Sequence, residues 1–188
     1  MKKTKLILLC GESASGKDTL LQDLMNLDSS LVKKISHTSR PKRDYEVDGV
    51  DYHFTEVPTF IMDIENFMEL SVFNGWYYGT HYNSLKEGAI NIGIFNPEGI
   101  ASVLEDGNLN CLVVYIKVPE KIRLIRALQR EEEPDIEEIL RRRKTDMHDF
   151  EDIYSMANVI FEQDDNRETY EENVKKLSEL IKDWGLAV

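Results

Sequence analysis

The chain has 188 residues, a formal net charge of −12, 41% hydrophobic and 31% charged positions. That length suits one domain able to bury a core, and the composition excludes a disordered protein. An acidic surface repels a polynucleotide backbone, so no nucleic-acid polymer is expected as partner, and a small anionic substrate needs cations gathered locally.

Met1-Lys2-Lys3-Thr4-Lys5 is basic, but the apolar run behind it is too short for a signal or a membrane span. A cytoplasmic protein without membrane contact is expected. Leu6–Cys10 reads as a buried strand. Gly11-Glu12-Ser13-Ala14-Ser15-Gly16-Lys17-Asp18-Thr19 follows, and Leu20–Met25 has the apolar spacing of a helix on a sheet. Strand, glycine loop and helix are the context a phosphate-binding loop G-x-x-x-x-G-K-[ST] requires. The glycines let backbone N–H groups turn toward an anion, and the helix N-terminus points at the same place. Lys17 supplies charge for the β- and γ-phosphates. Gly11, Ser13, Ala14, Ser15, Gly16, Lys17, Asp18 and Thr19 are the expected ATP-binding positions. Asp18 stands where the pattern has Ser or Thr. It reads either as a first-turn acid favoured by the helix dipole or as a carboxylate ligand for Mg2+.

Leu31–Ser36 reads as a second strand, and the turn-rich stretch 37–54 gathers Arg40, Lys42 and Arg43, an anion-site signal in so acidic a chain. Pro58 opens a short helix to Ile64. Phe67–Phe73 looks like a strand, Asn74-Gly75 a tight turn, and Trp76–Gly79 an extended segment. Thr80 reads as the N-cap of a helix through Ser84–Glu87, closed by Gly88. Residues 36–87 therefore look like a small strand-rich insert. Ala89–Phe95 is a core strand, Asn96-Pro97 caps a helix over 100–104, and Asn110–Val118 is the clearest buried strand. Cys10 and Cys111 both lie in such runs and read as reduced core thiols, without zinc-ligand spacing.

Pro119 opens a helix through 122–128. The acidic hinge Glu131-Glu132-Glu133-Pro134-Asp135 is flanked by Arg123, Arg126 and Arg130, and by Arg141, Arg142, Arg143 and Lys144. Arg126 and Arg130, four apart, share a helix face. Two cationic helices about a hinge read as a lid over 126–144, or else as solvated helices with local Arg–Glu pairs. Ala157–Phe161 is a last core strand and Val174–Trp184 a closing amphipathic helix. Alternating strands and helices give an α/β fold: one domain over 1–188, a parallel core sheet between helical layers, the insert and the lid.

Ser36-His37-Thr38-Ser39-Arg40-Pro41-x-Arg43, then Glu46-Val47-Asp48-Gly49-Val50-Asp51-Tyr52-His53-Phe54, resembles the monophosphate motif of the guanylate kinase family, and Phe67-Met68-Glu69 through Tyr77-Tyr78-Gly79-Thr80 its second half-site. The resemblance covers nearly the whole chain. It implies a three-layer P-loop kinase with a nucleoside-monophosphate-binding insert. It also implies ATP and Mg2+ as cofactors, and transfer of the γ-phosphoryl of ATP to GMP or dGMP. Ser36, Arg40, Arg43, Tyr52 and Tyr78 would hold the monophosphate, and Glu69 and Thr80 would read the base. A carboxylate accepts from both N1–H and the 2-amino group of guanine, which adenine cannot offer. Lys17, Arg40, Arg126, Arg130, Arg142 and Arg143 would be the catalytic cations. Phosphoryl transfer is mostly positioning and charge neutralisation, so no general base is nominated, and the histidines read as incidental.

Where the family has Asp-x-Asp at a core strand end, this chain has Asn91-Ile92-Gly93. Asn91 is kept as a substrate-binding position able to accept a hydrogen bond, and Asp18 could hold the charge the strand end lacks. Gly16-Lys17-Asp18 is also similar to the loop of ribose 1,5-bisphosphate phosphokinases. That acceptor, a broader (d)NMP range and a non-catalytic guanylate-kinase-like binding module are the alternatives. Nothing in the sequence decides between monomer and homodimer.

Overall fold

The apolar run at the start of the chain forms the middle strand of a five-stranded parallel sheet in this computed structural model, which describes residues 3–186 apart from Tyr45, Asn74 and Glu131. Strand β1 (Lys5–Cys10) lies between β7 (Ile90–Ile94) and β8 (Asn110–Lys117); β2 (Leu31–Lys33) and β9 (Val159–Glu162) form the edges. Leu6 to Cys10 are fully buried. Successive side chains of a strand point to opposite faces, so this one run feeds two cores. Ile7 and Leu9 pack with Leu20 and Leu24 of α1 (Lys17–Leu27) and with Val174, Leu177 and Ile181 of α7 (Arg167–Leu186). Leu6, Leu8 and Cys10 pack with Ile100 and Val103 of α3 (Pro97–Asp106) and Ile153 of α6 (Ile153–Met156). A sheet covered on both faces must be apolar throughout, hence the continuous hydrophobic run.

A second sheet stands beside the C-terminal ends of these strands, in the order β4 (His53–Phe54), β3 (His37–Thr38), β6 (Trp76–His81), β5 (Phe67–Phe73). Strands β5 and β6 form an antiparallel hairpin with a register shift at Phe67/Glu69. Gly75 carries a positive φ at its turn, while the Asn74 half of that turn lies outside the described residues. Helix α2 (Val57–Met62) precedes β5. Asn96 caps α3, its Oδ1 accepting from Gly99 N–H at 2.8 Å. Helices α4 (Glu120–Gln129) and α5 (Ile136–Asp149) flank the acidic hinge, whose first residue, Glu131, is not described; nor are Met1 and Lys2 of the basic start.

Two expectations are corrected. Thr80 does not cap a helix over 84–87: it lies inside β6, and a single 3-10 turn, Tyr82–Ser84, follows with His81 as its cap. Pairing of Thr80 with Glu69 across the hairpin overrides the local capping signal. Cys111 is half-buried rather than core; Cys10 is fully buried, and both thiols are free.

Candidate active site

The loop after β1 turns back on itself at Ser15 N–H to Glu12 O, 3.1 Å. Ala14 (φ 60°) and Gly16 (φ 86°) are left-handed, and Gly16 opens α1 without a side-chain cap, so the first N–H groups of the helix face the loop. A β-carbon at Gly11 would stand 2.6 Å from Ser15 Oγ and 2.9 Å from Ile116 O, so only glycine fits. The Lys17 ammonium donates to Gly11 O (2.7 Å) and Glu12 O (3.1 Å), and burial lowers its pKa against the opposing charge of Asp146. Ser15 Oγ is buried with no hydrogen-bond partner in the structure. Asp18 and Thr19 are exposed in the first turn, and the charge of Asp18 reaches Tyr52 across the cleft.

Helices α4 and α5 meet this loop through Asp146 and the loop's own Glu12, which sequence reasoning assigned no role, and through Arg123, which it named only as a cation beside the hinge. Asp146 of α5 accepts from Ser13 N–H at 2.8 Å. Arg123 of α4 pairs with Glu12 at 3.1 Å and approaches Asp146 at 3.8 Å. Tyr115 OH donates to Glu12 Oε2 at 3.1 Å. A cavity of about 400 Å³ beside Ser13 and Ala14 gathers Arg43, Arg123, Arg130, Arg142 and Arg143. Several of these cations also meet acids: Arg142 bonds Glu138 at 2.7 Å, and Arg143 pairs with Glu120. Arg126 lies elsewhere. It donates to Gln163 (2.8 Å) and Asp165 (3.0 Å) and borders a separate hollow with Gly16 and Thr19. Arg130 follows α4 as its C-cap in helical conformation, four residues from Arg126, yet the two side chains border different cavities.

A larger cavity, about 460 Å³, joins the loop to the second sheet. Gly11, Ser13 and Lys17 line one end, and Ser36, Tyr52, Glu69 and Tyr78 the other. Arg40 grips Glu46 with both guanidinium branches (2.6 and 3.0 Å), which holds the Glu46 carboxyl below the usual range, and Arg43 N–H donates to the same carboxylate at 2.8 Å. Glu46 is thus a hub that fixes the Arg40–Arg43 turn; its place inside the quoted motif was the only sequence signal for it. Thr80 Oγ1 donates to Glu69 Oε1 at 2.5 Å. Asn91 is corrected as a substrate contact. It is fully buried, its Oδ1 accepts from Lys86 N–H at 2.8 Å, and its Nδ2 donates to the carbonyls of Lys5 and Lys86. It braces the turn before β7 instead of facing the cavity.

A parallel sheet with a glycine loop at the C-terminal end of its middle strand, an anion-binding helix terminus and a facing cationic cleft defines a P-loop nucleotide phosphotransferase. The guanylate kinase family model matches residues 3–183. The chain is 32% identical over 149 residues to a guanylate kinase of Desulfotalea psychrophila, covering 76% of this chain and 73% of that protein. It is 28% identical over 185 residues to one of Mycoplasma genitalium, covering 94% and 77%. The crystal structure of guanylate kinase from Anaplasma phagocytophilum matches its fold with a TM-score of 0.68 at 20% identity, over 100% of this chain and 89% of that one. The chain belongs to the guanylate kinase family, and is a phosphotransferase with ATP as its phosphoryl donor. Among the described residues, no helix is long and apolar enough to cross a membrane.

Proposed function

We propose that this protein transfers the γ-phosphoryl group of ATP to GMP or dGMP in the 460 Å³ cavity, with residues 36–87 as acceptor insert and 126–144 as lid. The observation that carries this reading is the shared wall: loop residues Gly11, Ser13 and Lys17 face Ser36, Tyr52, Glu69 and Tyr78 across one cleft. The buried, unpartnered Ser15 hydroxyl suits a loop completed by phosphate oxygens. Lys17 carries the charge for the donor phosphates. Arg40 and Arg43, fixed by Glu46, together with Tyr52 and Tyr78 hold the acceptor phosphate. Arg130, Arg142 and Arg143 close over the transferred group from the lid side, and Arg126 steadies the loop's far flank. These groups align two nucleotides and neutralise charge, so no side chain need abstract a proton.

Mg2+ suits the donor set: it takes one or two protein carboxylates and fills its shell with phosphate oxygens and water, and Asp18 offers such a carboxylate at the first turn of α1. It would supply charge neutralisation on the phosphates. Two free thiols suit a reducing compartment, so we place the enzyme in the cytoplasm, acting on small nucleotides as a monomer or homodimer.

Glu69→Ala tests the base-reading half of the proposal. Leaving base donors unpaired costs about 1–3 kcal/mol. The variant's kcat/KM for GMP should fall ten- to hundredfold while its KM for ATP stays within twofold. An unchanged preference for guanine over adenine monophosphates would remove Glu69 from base recognition.

A further inference from the structure

Lys34 is an unusual residue to find lining the proposed acceptor cavity. It is 5% exposed, and its backbone N–H continues the β2–β7 ladder by donating to Ile92 O at 2.9 Å. Its stem then crosses directly over β7. A β-carbon at Gly93 would stand 2.3 Å from Lys34 Cγ and 2.4 Å from Cε. A side chain at 93 and the lysine stem cannot coexist, so the bare strand end and the buried lysine are one arrangement. The end of β7 thereby receives a cation.

The ammonium donates to Ser36 Oγ and to Thr80 Oγ1, both at 2.7 Å, and sits 3.9 Å from the centroid of the Phe95 ring. An ammonium has three donors. Among the described residues two are taken, both by hydroxyls that a ligand oxygen could join. Thr80 in turn gives its own proton to Glu69. Lysine, threonine and glutamate thus form a directed chain from cation to anion along one wall of the cavity, and Lys34 and Glu69 both line it. Burial favours the neutral amine and the Glu69 charge opposes it.

We infer that Lys34 is a specificity-determining residue: its ammonium and the Glu69 carboxylate form a donor–acceptor pair that selects bases presenting a carbonyl oxygen beside a ring N–H. This rests on the acceptor reading given above. Guanine offers O6 next to N1–H and the 2-amino group, so O6 takes the lysine proton while the carboxylate takes the other two donors. Adenine and cytosine place an amino group against the ammonium, donor facing donor. Thymine matches at O4 and N3–H but sets its O2 against the second carboxylate oxygen. A site built to bond a polar group rejects analogues that lack it, because its own buried groups are left unpaired.

The experiment compares GMP with 6-thioguanosine monophosphate, which keeps N1–H and the 2-amino group and puts a weakly accepting sulfur in place of O6, in wild type and Lys34→Met, which keeps the stem and removes the charge. Wild type should prefer GMP by at least about tenfold in kcat/KM. Lys34→Met should bring that ratio near one, through a raised KM for GMP, and Lys34→Arg should restore part of it. A Lys34→Met enzyme that loses activity equally toward both acceptors would make Lys34 a strut only and overturn the inference. The wild-type ratio stands whether or not the variant folds: a value near one also overturns it. A wild type that phosphorylates neither GMP nor any other keto-base monophosphate overturns the acceptor reading itself.

Discussion

The carboxylate of Asp146 accepts a hydrogen bond from the Ser13 backbone N–H at 2.8 Å, so an acid from α5 occupies a donor of the glycine loop. Loop N–H groups of this kind bind anions, and Asp146 is the anion they hold here. Nucleotide phosphates must displace it or share its donors. Asp146→Asn should therefore tighten binding of ADP, by about three- to tenfold, since a charge-assisted hydrogen bond is worth about 1.5–3 kcal/mol and part of it is regained elsewhere. Calorimetric titration of the two proteins reads this; equal or weaker binding by the variant would exclude competition.

Glu46 holds Arg40 by a two-branched pair and the Arg43 N–H by a third bond. Glu46→Gln keeps the shape and removes the charge. The acceptor KM should rise about tenfold or more while the KM for ATP changes little, because the affected groups lie on the acceptor side. A uniform rise in both constants would indicate general loosening instead.

With ATP bound as proposed, Asp18 in the first turn of α1 would face the phosphates as like charge unless a cation stood between them. ATP affinity should fall steeply on magnesium removal, and Asp18→Ser should lessen that dependence. If the dependence is the same in both proteins, Asp18 is simply a first-turn acid favoured by the helix dipole.

Lys34 also sets a stability signature. The groups facing it are Glu69 from β5, Thr80 from β6, Ser36 on its own segment and the Phe95 ring after β7. Burial takes its pKa from the ordinary 10.5 down to about 8. Between those values the unfolded chain holds a proton that the folded chain has released, so folding stability rises with pH there, by up to about 1.4 kcal/mol per unit. The thiols of Cys10 and Cys111, pushed up to about 12 and about 11, act in the opposite sense above pH 9. They are common to wild type and Lys34→Met, so the difference between the two proteins isolates the lysine. Denaturant unfolding from pH 7 to 10 should show wild type gaining on the variant above pH 8; a flat difference would mean the lysine titrates normally.

The parts of this molecule that are local in sequence were legible there. The run 6–10, the glycine loop and the following helix carry their own periodicity and turn chemistry, and Phe67–Phe73 is a strand with those same limits. Contacts between distant segments were not legible. Thr80 has the chemistry of a cap, yet its partner Glu69 on the neighbouring strand decides its place. Asn91 stands at a strand end that suggests substrate, but its amide is consumed by backbone groups of Lys5 and Lys86. The Asp146–Ser13 bond spans 133 residues and the Lys34–Thr80 bond 46, and no spacing rule reaches so far. Lys34 left only a mute trace, a glycine at 93, whose meaning depends on which stem passes over it.

In the proposed reaction one cavity brings ATP and a guanine monophosphate together. Its most direct test is the initial rate of ADP formation by purified protein with ATP and magnesium against GMP, dGMP, AMP, CMP, dTMP and ribose 1,5-bisphosphate. The account predicts that GMP or dGMP gives the highest kcat/KM, at least about tenfold above AMP and CMP. Turnover confined to ribose 1,5-bisphosphate, with none on guanine nucleotides, would contradict it.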